Sequence, residues 1–171
     1  MGSRIRRFFW FAAGMAVLTG ADQWTKALAV SALKGQEPFV LWPGVFEFLY
    51  SENRGAAFGM LQGQQGFFLA VAVCVLAAAV YVLWKAPSGR RYLPLEICLT
   101  MICAGAAGNL ADRLSLGYVV DFLYFKWIDF PIFNVADCYV TVGTFVLMFL
   151  LLRVYSEEEL AVFTPGRKER P

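Results

Sequence analysis

An unbroken run of 18 apolar residues, from Phe67 to Trp84, constrains the fold of this chain more than any other feature. As an α-helix this run would be about 27 Å long, close to the hydrocarbon thickness of a bilayer. Apolar stretches of similar length stand at 8–33, 93–114 and 134–152. Only 16% of the residues are charged, against about 25% in soluble domains. We therefore predict a single domain, residues 1–171, that is an all-α integral membrane protein with four transmembrane helices.

The distribution of basic residues predicts how the chain crosses the membrane. Arg4, Arg6 and Arg7 precede the first span, and three more basic residues lie between the second and third spans. If both termini and that loop are cytoplasmic, ten of the 15 Lys and Arg residues lie on the cytoplasmic side. This arrangement satisfies the positive-inside rule. It makes the tail at 153–171 cytoplasmic and the two other connections extracytoplasmic.

The first apolar run has an alternative interpretation. Three arginines followed by the apolar residues 8–21 are typical of a secretory signal, and Ala27 to Ala29 resembles a cleavage site. Three further spans argue against the export of a soluble protein, so we predict a membrane helix here. Asp22 and Lys26 then lie one turn apart toward the outer leaflet. At that spacing they either form a structural ion pair or take a direct part in chemistry.

The connection at 35–66 differs in character from the apolar runs. It contains Pro38, a Pro43-Gly44 turn signal and aromatic residues at every second position from Phe46 to Tyr50. This pattern predicts a small extracytoplasmic β-sheet element. The segment from Ser51 to Gly59 mixes polar and small residues, which is typical of a loop that returns to the membrane surface.

Polar side chains collect in residues 108–137, between the last two apolar runs. An ionisable side chain at the bilayer centre costs roughly 2.5 to 3.5 kcal/mol on insertion scales, so such residues mark a candidate functional site. With the predicted topology, polar residues from three spans and two connections converge on the outer side. They are Asp22, Lys26, Asn53, Asn109, Asp112, Arg113, Asp121, Asn134 and Asp137.

Several members of this set also have a purely structural interpretation. Asp137 stands three residues after Asn134 at a predicted helix start, which is the pattern of an N-cap and an N3 carboxylate. Asp112 and Arg113 are adjacent and fit an ion network at a helix end. Asp121 lies in an apolar context without such an explanation, so it is the stronger indication of a functional site.

Composition excludes several classes of function. The chain has no His, which excludes a Ser-His-Asp site, a Cys-His site and an HExxH zinc protease. With 15 basic and 13 acidic residues, it lacks the basic field that a nucleic acid partner would need. Its four cysteines have no CxxC spacing, so we predict that they are buried structural residues. We predict no metal and no cofactor.

Five short segments carry the polar residues: DQWTK at 22–26, NRGAAF at 53–58, GNLADR at 108–113, VVDF at 119–122 and FNVAD at 133–137. In order and spacing they resemble the segments of the bacterial lipoprotein signal peptidases, the signal peptidase II family. The resemblance covers about two-thirds of the chain. It departs from the family at Ala111, where a larger aliphatic residue is common, and at Cys138, where serine is common. Neither departure touches a carboxylate.

The resemblance implies an activity and a location. It implies an aspartyl endopeptidase of the bacterial cytoplasmic membrane that removes the signal peptide from prolipoproteins, cutting before the cysteine that carries diacylglycerol. Asp121 and Asp137 would form the catalytic pair, close to the extracytoplasmic face. The residues around the substrate would be Asn53, Asn109, Arg113 and Asn134. We expect a monomer whose partners are lipid-modified precursors and membrane phospholipid.

The carboxylates indicate hydrolysis on chemical grounds as well. Without histidine, a reactive serine context or a metal cluster, hydrolysis of a peptide bond is left to paired carboxylates. One is ionised to take a proton from water, and one is protonated to donate to the carbonyl oxygen. Two neighbouring carboxylates share a proton naturally. A position in the first turn of a helix favours the charge on Asp137. Desolvation in an apolar loop favours the proton on Asp121.

Two other classes of membrane protein use similar residues. A transporter or proton channel would relay protons through the carboxylates, and a lipid-binding or assembly module would use the polar groups to hold head groups. The charged groups gather at one face, the chain has no visible inverted repeat, and residues 67–84 offer no polar path. These features favour the peptidase over the transporter.

Overall fold

The protein, represented here by a computed structural model, is described for residues 2–55 and 63–163. Its elements in chain order are α1 (Gly2–Leu33), β1 (Phe39–Trp42), β2 (Phe46–Asn53), α2 (Gln65–Lys85), α3 (Leu93–Leu116), β3 (Val119–Tyr124), α4 (Val135–Phe149) and α5 (Glu157–Ala161). A π-helical turn, Leu150–Val154, extends α4. Residues 56–59 of the predicted surface loop, which include the end of the NRGAAF segment, lie outside the described residues.

The apolar runs form the long helices of the fold. Among the described residues, three helical segments are long and apolar enough to cross a membrane: Gln65–Lys85, Arg90–Leu116 and Val135–Val154. The first predicted span forms α1, which has 32 residues, but Asp22 and Lys26 interrupt its apolar character. The predicted, mostly helical fold with a small sheet is confirmed. Three of the four predicted spans are supported, and α1 is not confirmed as the fourth.

A three-stranded antiparallel sheet has the order β1-β2-β3. β1 and β2 form the β element that the sequence predicts at 35–66. The third strand was not predicted: Asp121, expected in a loop, lies in β3 opposite Ser51 of β2. β2 also continues through Asn53, where a loop was expected. All four residues at 119–122 are buried, so β3 lacks the alternation of polar and apolar residues by which a strand is recognised.

Close packing against α3 brings the elements of the site together. Residues 104–108 of α3, Ala-Gly-Ala-Ala-Gly, are small enough to let two helices approach closely. Gly105 lies directly against the carbonyl oxygen of Ala136 in the first turn of α4, and Gly108 faces α1, where an added Cβ would lie 2.5 Å from Asp22 Oδ2. Glycine at these two positions therefore allows the start of α4 and the part of α1 around Asp22 to lie against α3.

Replacing Gly105 with Ala is expected to destabilise the protein by about 1–3 kcal/mol, because the added methyl group overlaps the Ala136 carbonyl and Val140. Gly20→Ala is the matched control, since an added Cβ there meets nothing within 4 Å. It should be neutral or stabilising, because Ala is the better helix former. Thermal unfolding in detergent measures the stability of both variants. Equal melting temperatures for the two variants would contradict the close packing of α3 and α4.

A charged cluster lies near the N-terminal end of α1. Arg7 is 8% exposed, and its Nε donates to Glu96 Oε1 at 2.6 Å. Its Nη1 donates to the carbonyls of Leu83 and Ala86 at 2.8 and 2.7 Å. These contacts satisfy the C-terminal carbonyls of α2 and join α1, α2 and α3. Because Arg7 and Lys26 are 19 residues apart in one helix, about 28 Å separates this cluster from the polar residues in the C-terminal half of α1.

The cysteines depart in part from the expected burial. Cys98 and Cys103 are buried, as predicted, but Cys74 is exposed on α2 and Cys138 is half-buried on α4. α2 buries only one face against α3, so a small apolar side chain such as Cys74 is suited to facing lipid. The prediction of four buried cysteines is wrong for these two.

Candidate active site

Asp121 is held in the sheet by two amide side chains. It is 2% exposed. Its Oδ1 accepts a hydrogen bond from Asn134 Nδ2 at 2.6 Å, and its Oδ2 accepts one from Asn53 Nδ2 at 3.0 Å. Burial raises the pKa of Asp121 to about 7, and the nearby negative charge of Asp137 adds to the rise. A carboxyl group with this pKa exchanges its proton near neutral pH.

Asp137 occupies the first turn of α4 in the geometry that the sequence predicts. Asn134 is the N-cap: its side chain accepts from the Asp137 N–H at 3.0 Å, and Asp137 Oδ2 accepts from the Asn134 N–H at 3.1 Å. This reciprocal pair is a capping box. The other carboxylate oxygen accepts from Asn109 Nδ2 at 2.8 Å. The two donors to this carboxylate, the Asn134 N–H and Asn109 Nδ2, stabilise its ionised form, as does the helix N-terminus.

Asn134 and Asn109 connect the two carboxyl groups. The Asn134 side chain is fully buried, and its Nδ2 donates to both Asp121 Oδ1 and Asn109 Oδ1, the latter at 3.0 Å. Asn109 in turn donates to Asp137. A continuous set of hydrogen bonds therefore runs from one carboxyl group to the other through two amides. The two carboxyl groups are fixed relative to each other although they come from β3 and α4.

Behind these amides lies a buried cation with two carboxylates. Lys26 Nζ lies 2.9 Å from Asp22 Oδ2, 3.0 Å from Asp112 Oδ2 and 2.9 Å from Asn109 Oδ1. The side chains of the three charged residues are at most 3% exposed. Of the two roles that the spacing of Asp22 and Lys26 allows, the structure shows the ion pair. Asp112 pairs with Lys26, whereas the predicted network between Asp112 and Arg113 is not seen in the described residues.

Each carboxylate of this buried cluster also accepts a hydrogen bond from the backbone N–H of the residue just before one of the two site aspartates. Asp22 Oδ1 accepts from the N–H of Ala136 at 2.9 Å, one residue before Asp137. Asp112 Oδ2 accepts from the N–H of Val120 at 3.1 Å, one residue before Asp121. α1 and α3 thus hold the backbone of α4 and β3 at the two positions that determine where the site carboxyl groups point.

Gln23 belongs to this cluster and was missed by the sequence analysis. Its Nε2 donates to Asp112 Oδ1 at 2.8 Å and to the Gly108 carbonyl at 3.2 Å. It therefore joins α1 to α3 beside the ion pairs. An amide within a predicted membrane helix, next to Asp22, was the signal that could have identified it.

Arg113 connects α3 to the end of β2. Its Nη2 donates to the Gly55 carbonyl at 2.9 Å, and its Nη1 donates to the Asn109 carbonyl at 3.2 Å. The guanidinium group lies 4.0 Å from the centroid of the Phe68 ring. Arg113 is thus fixed by the protein itself and lines the same cavity as the two aspartates.

The two site aspartates open onto one cavity of about 850 Å³, within the usual range of about 300–1,000 Å³ for ligand pockets. Its polar wall comes from residues 51–55 of β2 and the following turn, together with Arg113. The remaining lining residues are Phe68, Phe130, Pro131, Ile132, Phe133, Cys138, Thr141 and Val142. Within the described residues no cluster of His, Cys, Asp and Glu has the arrangement of a metal site.

This chain is similar to proteins of known family and fold. The family model described as "Signal peptidase (SPase) II" matches residues 14–153. A lipoprotein signal peptidase of Streptococcus thermophilus (strain CNRZ 1066) is 44% identical over 134 residues, which are 78% of this chain and 86% of the relative. One of Streptococcus pyogenes serotype M1 is 40% identical over 151 residues, 87% of this chain and 95% of the relative.

Two solved structures of bacterial membrane enzymes have the same fold. Both were determined by the in meso method, and both give a TM-score of 0.74. The one at 2.3 Å resolution is 29% identical and covers 94% of this chain and 93% of its own. The one at 1.9 Å resolution is 31% identical and covers 85% of this chain and 94% of its own.

Proposed function

Because this chain belongs to the signal peptidase II family, whose members are peptidases, we propose that it is a membrane aspartyl endopeptidase. It removes the signal peptide from diacylglyceryl-modified prolipoproteins by cutting before the lipidated cysteine. The observation that carries the aspartyl assignment is the hydrogen-bonded unit in which Asn134 and Asn109 join Asp121 to Asp137 beside one cavity. Two carboxyl groups held in this way supply both an acid and a base.

In the proposed mechanism Asp137 begins as the charged base and Asp121 as the protonated acid. The Asp137 carboxylate takes a proton from water, whose oxygen attacks the scissile carbonyl carbon while Asp121 gives its proton to the carbonyl oxygen. When the resulting gem-diol collapses, Asp137 gives its proton to the leaving amide nitrogen and Asp121 takes one from a hydroxyl group. The products are the carboxyl end of the signal peptide and the free amine of the cysteine. The pair returns to its starting protonation state.

The surrounding residues are proposed to position the pair and the substrate. Asn53, Asn109 and Asn134 orient the carboxyl groups through the contacts described above. Arg113, fixed by two backbone carbonyls, is placed to bind a substrate carbonyl. The buried cluster of Asp22, Lys26 and Asp112 acts through the backbone of α4 and β3 and does not touch the substrate.

We also propose a topology with α1 as a fourth span. α1 packs along α3, and its outer polar residues are buried in the bundle. With four spans, both termini lie in the cytoplasm of the bacterial cell and the site lies toward the extracytoplasmic face of the cytoplasmic membrane. Residues 1–171 then form a single domain that acts as a monomer among membrane phospholipids.

Cleavage is expected to slow as the pH rises through about 7. The acid of the mechanism must hold a proton, and the pKa of Asp121 is raised to about 7. Since a protonated Asp121 is needed, kcat/KM should be highest below this pH and fall about tenfold per unit well above it. A pH-rate profile of the purified protein measures this, with melting temperatures recorded at each pH as the control for folding. A rate that stays constant to about pH 9 would contradict the role of Asp121 as acid.

The diacylglyceryl group of the precursor is expected to be required for efficient cleavage. One wall of the cavity is apolar, and Asp137 lies only three residues into a candidate span, so the scissile bond must come close to the bilayer. A precursor whose acyl chains remain in the bilayer has its scissile bond held close to the membrane surface, near Asp137. We expect kcat/KM for an unlipidated precursor to be at least about tenfold lower, since the positioning energy of the chains is lost.

The same assay tests the proposed function. Purified protein in detergent is given the lipidated and the unlipidated precursor, and released signal peptide is measured by mass spectrometry. Cleavage of the lipidated precursor before its cysteine supports the proposal. Release of no signal peptide, together with ion flux in vesicles that contain the protein, would favour the transporter class instead.

A further inference from the structure

The two sides of the cavity differ in character. One wall is apolar and comes from α2, α4 and the segment before α4, with Phe68, Ile132 and Val142 among its residues. The end of β2, where Glu52 and Arg54 lie, forms a polar and charged part of the rim. The Arg54 side chain is 63% exposed. We expect the hydrophobic signal helix of a precursor to pack on the apolar residues, which leaves the charged rim for the mature part of the chain.

Arg54 is fixed at this rim by a small ionic cluster. Glu52 Oε1 accepts from Lys34 Nζ and from Tyr50 OH, both at 3.1 Å, and Glu52 Oε2 lies 3.2 Å from Arg54 Nη2. The hydrogen bond from Lys34 lowers the pKa of Glu52, which keeps this carboxylate ionised. The guanidinium group of Arg54 also lies 5.3 Å from the centroid of the Tyr118 ring. Two cations share one carboxylate, so the cluster as a whole carries a positive charge. Arg54 is its only cation among the described lining residues of the cavity, where the Glu52 carboxylate lies beside it.

The sheet register indicates which substrate residues pass Arg54. Ser51 lies opposite Asp121, and Arg54 is three residues farther along the chain, about 10 Å at the rise of an extended strand. An extended substrate covers about 3.3–3.6 Å per residue. A chain that leaves Asp121 toward the rim therefore passes Arg54 about three residues beyond the scissile bond.

We propose that Arg54 makes the cleavage selective for charge, favouring an acidic side chain and disfavouring a basic one at about the second to fourth residue after the cut. This inference rests on the proposed function. It separates the roles of the two arginines of the cavity. Arg113 is bound by backbone carbonyls beside the carboxyl pair, whereas Arg54 lies at the exit and meets the part of the substrate that varies from one precursor to another.

The test uses three lipidated precursors that differ only at the third residue after the cut, which is Glu, Gln or Lys. For the wild-type protein, kcat/KM for the Glu precursor should exceed that for the Lys precursor by about three- to tenfold, the size expected of an exposed charge pair. Arg54→Gln should bring this ratio close to one. Arg54→Glu should reverse it.

Lys34→Gln is the matched control. It removes the same charge from the same Glu52 carboxylate, but Lys34 is not part of the cavity wall that the described residues form. For this variant the ratio of kcat/KM between the Glu and Lys precursors should stay within about twofold of the wild-type ratio. An exposed charge away from the substrate path is screened by solvent. The inference would be overturned if Arg54→Gln kept the wild-type preference for the Glu precursor over the Lys precursor. It would also be overturned if Lys34→Gln lost as much of that preference as Arg54→Gln. Failure to cut any of the three precursors would overturn the proposed function instead.

Discussion

Replacing either Asp121 or Asp137 with Asn is expected to lower the rate of signal peptide release by about 10⁴-fold or more. The amide has nearly the same volume as the carboxyl group, but it cannot exchange a proton, and each member of the pair depends on the other. The rate is measured with purified protein and the lipidated precursor at saturating concentration. We expect the two single variants and the double variant to be about equally inactive, because residues that act as a unit are not additive.

Asp129→Asn is the control for this pair of variants. Asp129 is exposed and accepts a hydrogen bond from Tyr124 OH. Its backbone has a positive φ of 48°, a conformation that Asn also adopts readily. This change should leave the rate within about twofold of the wild type, since surface substitutions have small effects. Melting temperature and binding of the uncut precursor show whether the inactive variants are folded. Substantial turnover by a folded Asp121→Asn or Asp137→Asn variant would remove the pair from the mechanism.

Replacing Lys26 with Met is expected to destabilise the protein by about 3–5 kcal/mol, the largest effect on stability anticipated for a single side chain here. Lys26 is the cation between the buried carboxylates of Asp22 and Asp112. Met fills a similar volume but leaves both carboxylates without a positive partner. Asp22→Asn should cost less, because Lys26 keeps Asp112 as a partner. Unfolding in detergent, followed by heat or denaturant, compares the two variants.

The double variant Lys26→Met with Asp22→Asn tests the reason for this loss. It removes one of the two uncompensated charges, so it should recover part of the stability lost in Lys26→Met. A Lys26→Met protein as stable as the Asp22→Asn protein would show that the buried cation does not compensate the carboxylates. The same explanation would also be contradicted if the double variant were no more stable than Lys26→Met.

The parts of the fold that depend on local sequence were predictable. Long apolar runs have few alternatives to membrane-length helices, and the N-cap geometry of Asn134 and Asp137 follows from residue type and spacing alone. The run of small residues at 104–108, which permits the close packing at Gly105, is likewise a local feature of the sequence. The nine polar residues selected from the sequence all lie in one connected region of the described structure. Their proposed roles in catalysis and substrate binding remain predictions.

The parts that depend on distant contacts were not predictable. β3 pairs with β2 across more than sixty intervening residues, and burial on both faces removes the alternation that marks a strand. The two hydrogen bonds from backbone N–H groups to Asp22 and Asp112 exist only because four elements meet. For the same reason Asp112 pairs with Lys26 on another helix and not with Arg113, its neighbour in the sequence. α1 was predicted as a span from its length, but the polar residues that it contributes to the site reduce its apolar character.

Water activation by the carboxyl pair is tested most directly by a single turnover in water enriched in ¹⁸O. Excess protein is mixed with the lipidated precursor, and mass spectrometry follows the new carboxyl group of the signal peptide and the peptides that contain Asp121 and Asp137. If the pair activates water, the signal peptide gains one ¹⁸O atom in the first turnover and neither aspartate gains any. An unlabelled signal peptide with ¹⁸O in Asp121 or Asp137 would contradict the account, because an aspartate oxygen would then have attacked the substrate.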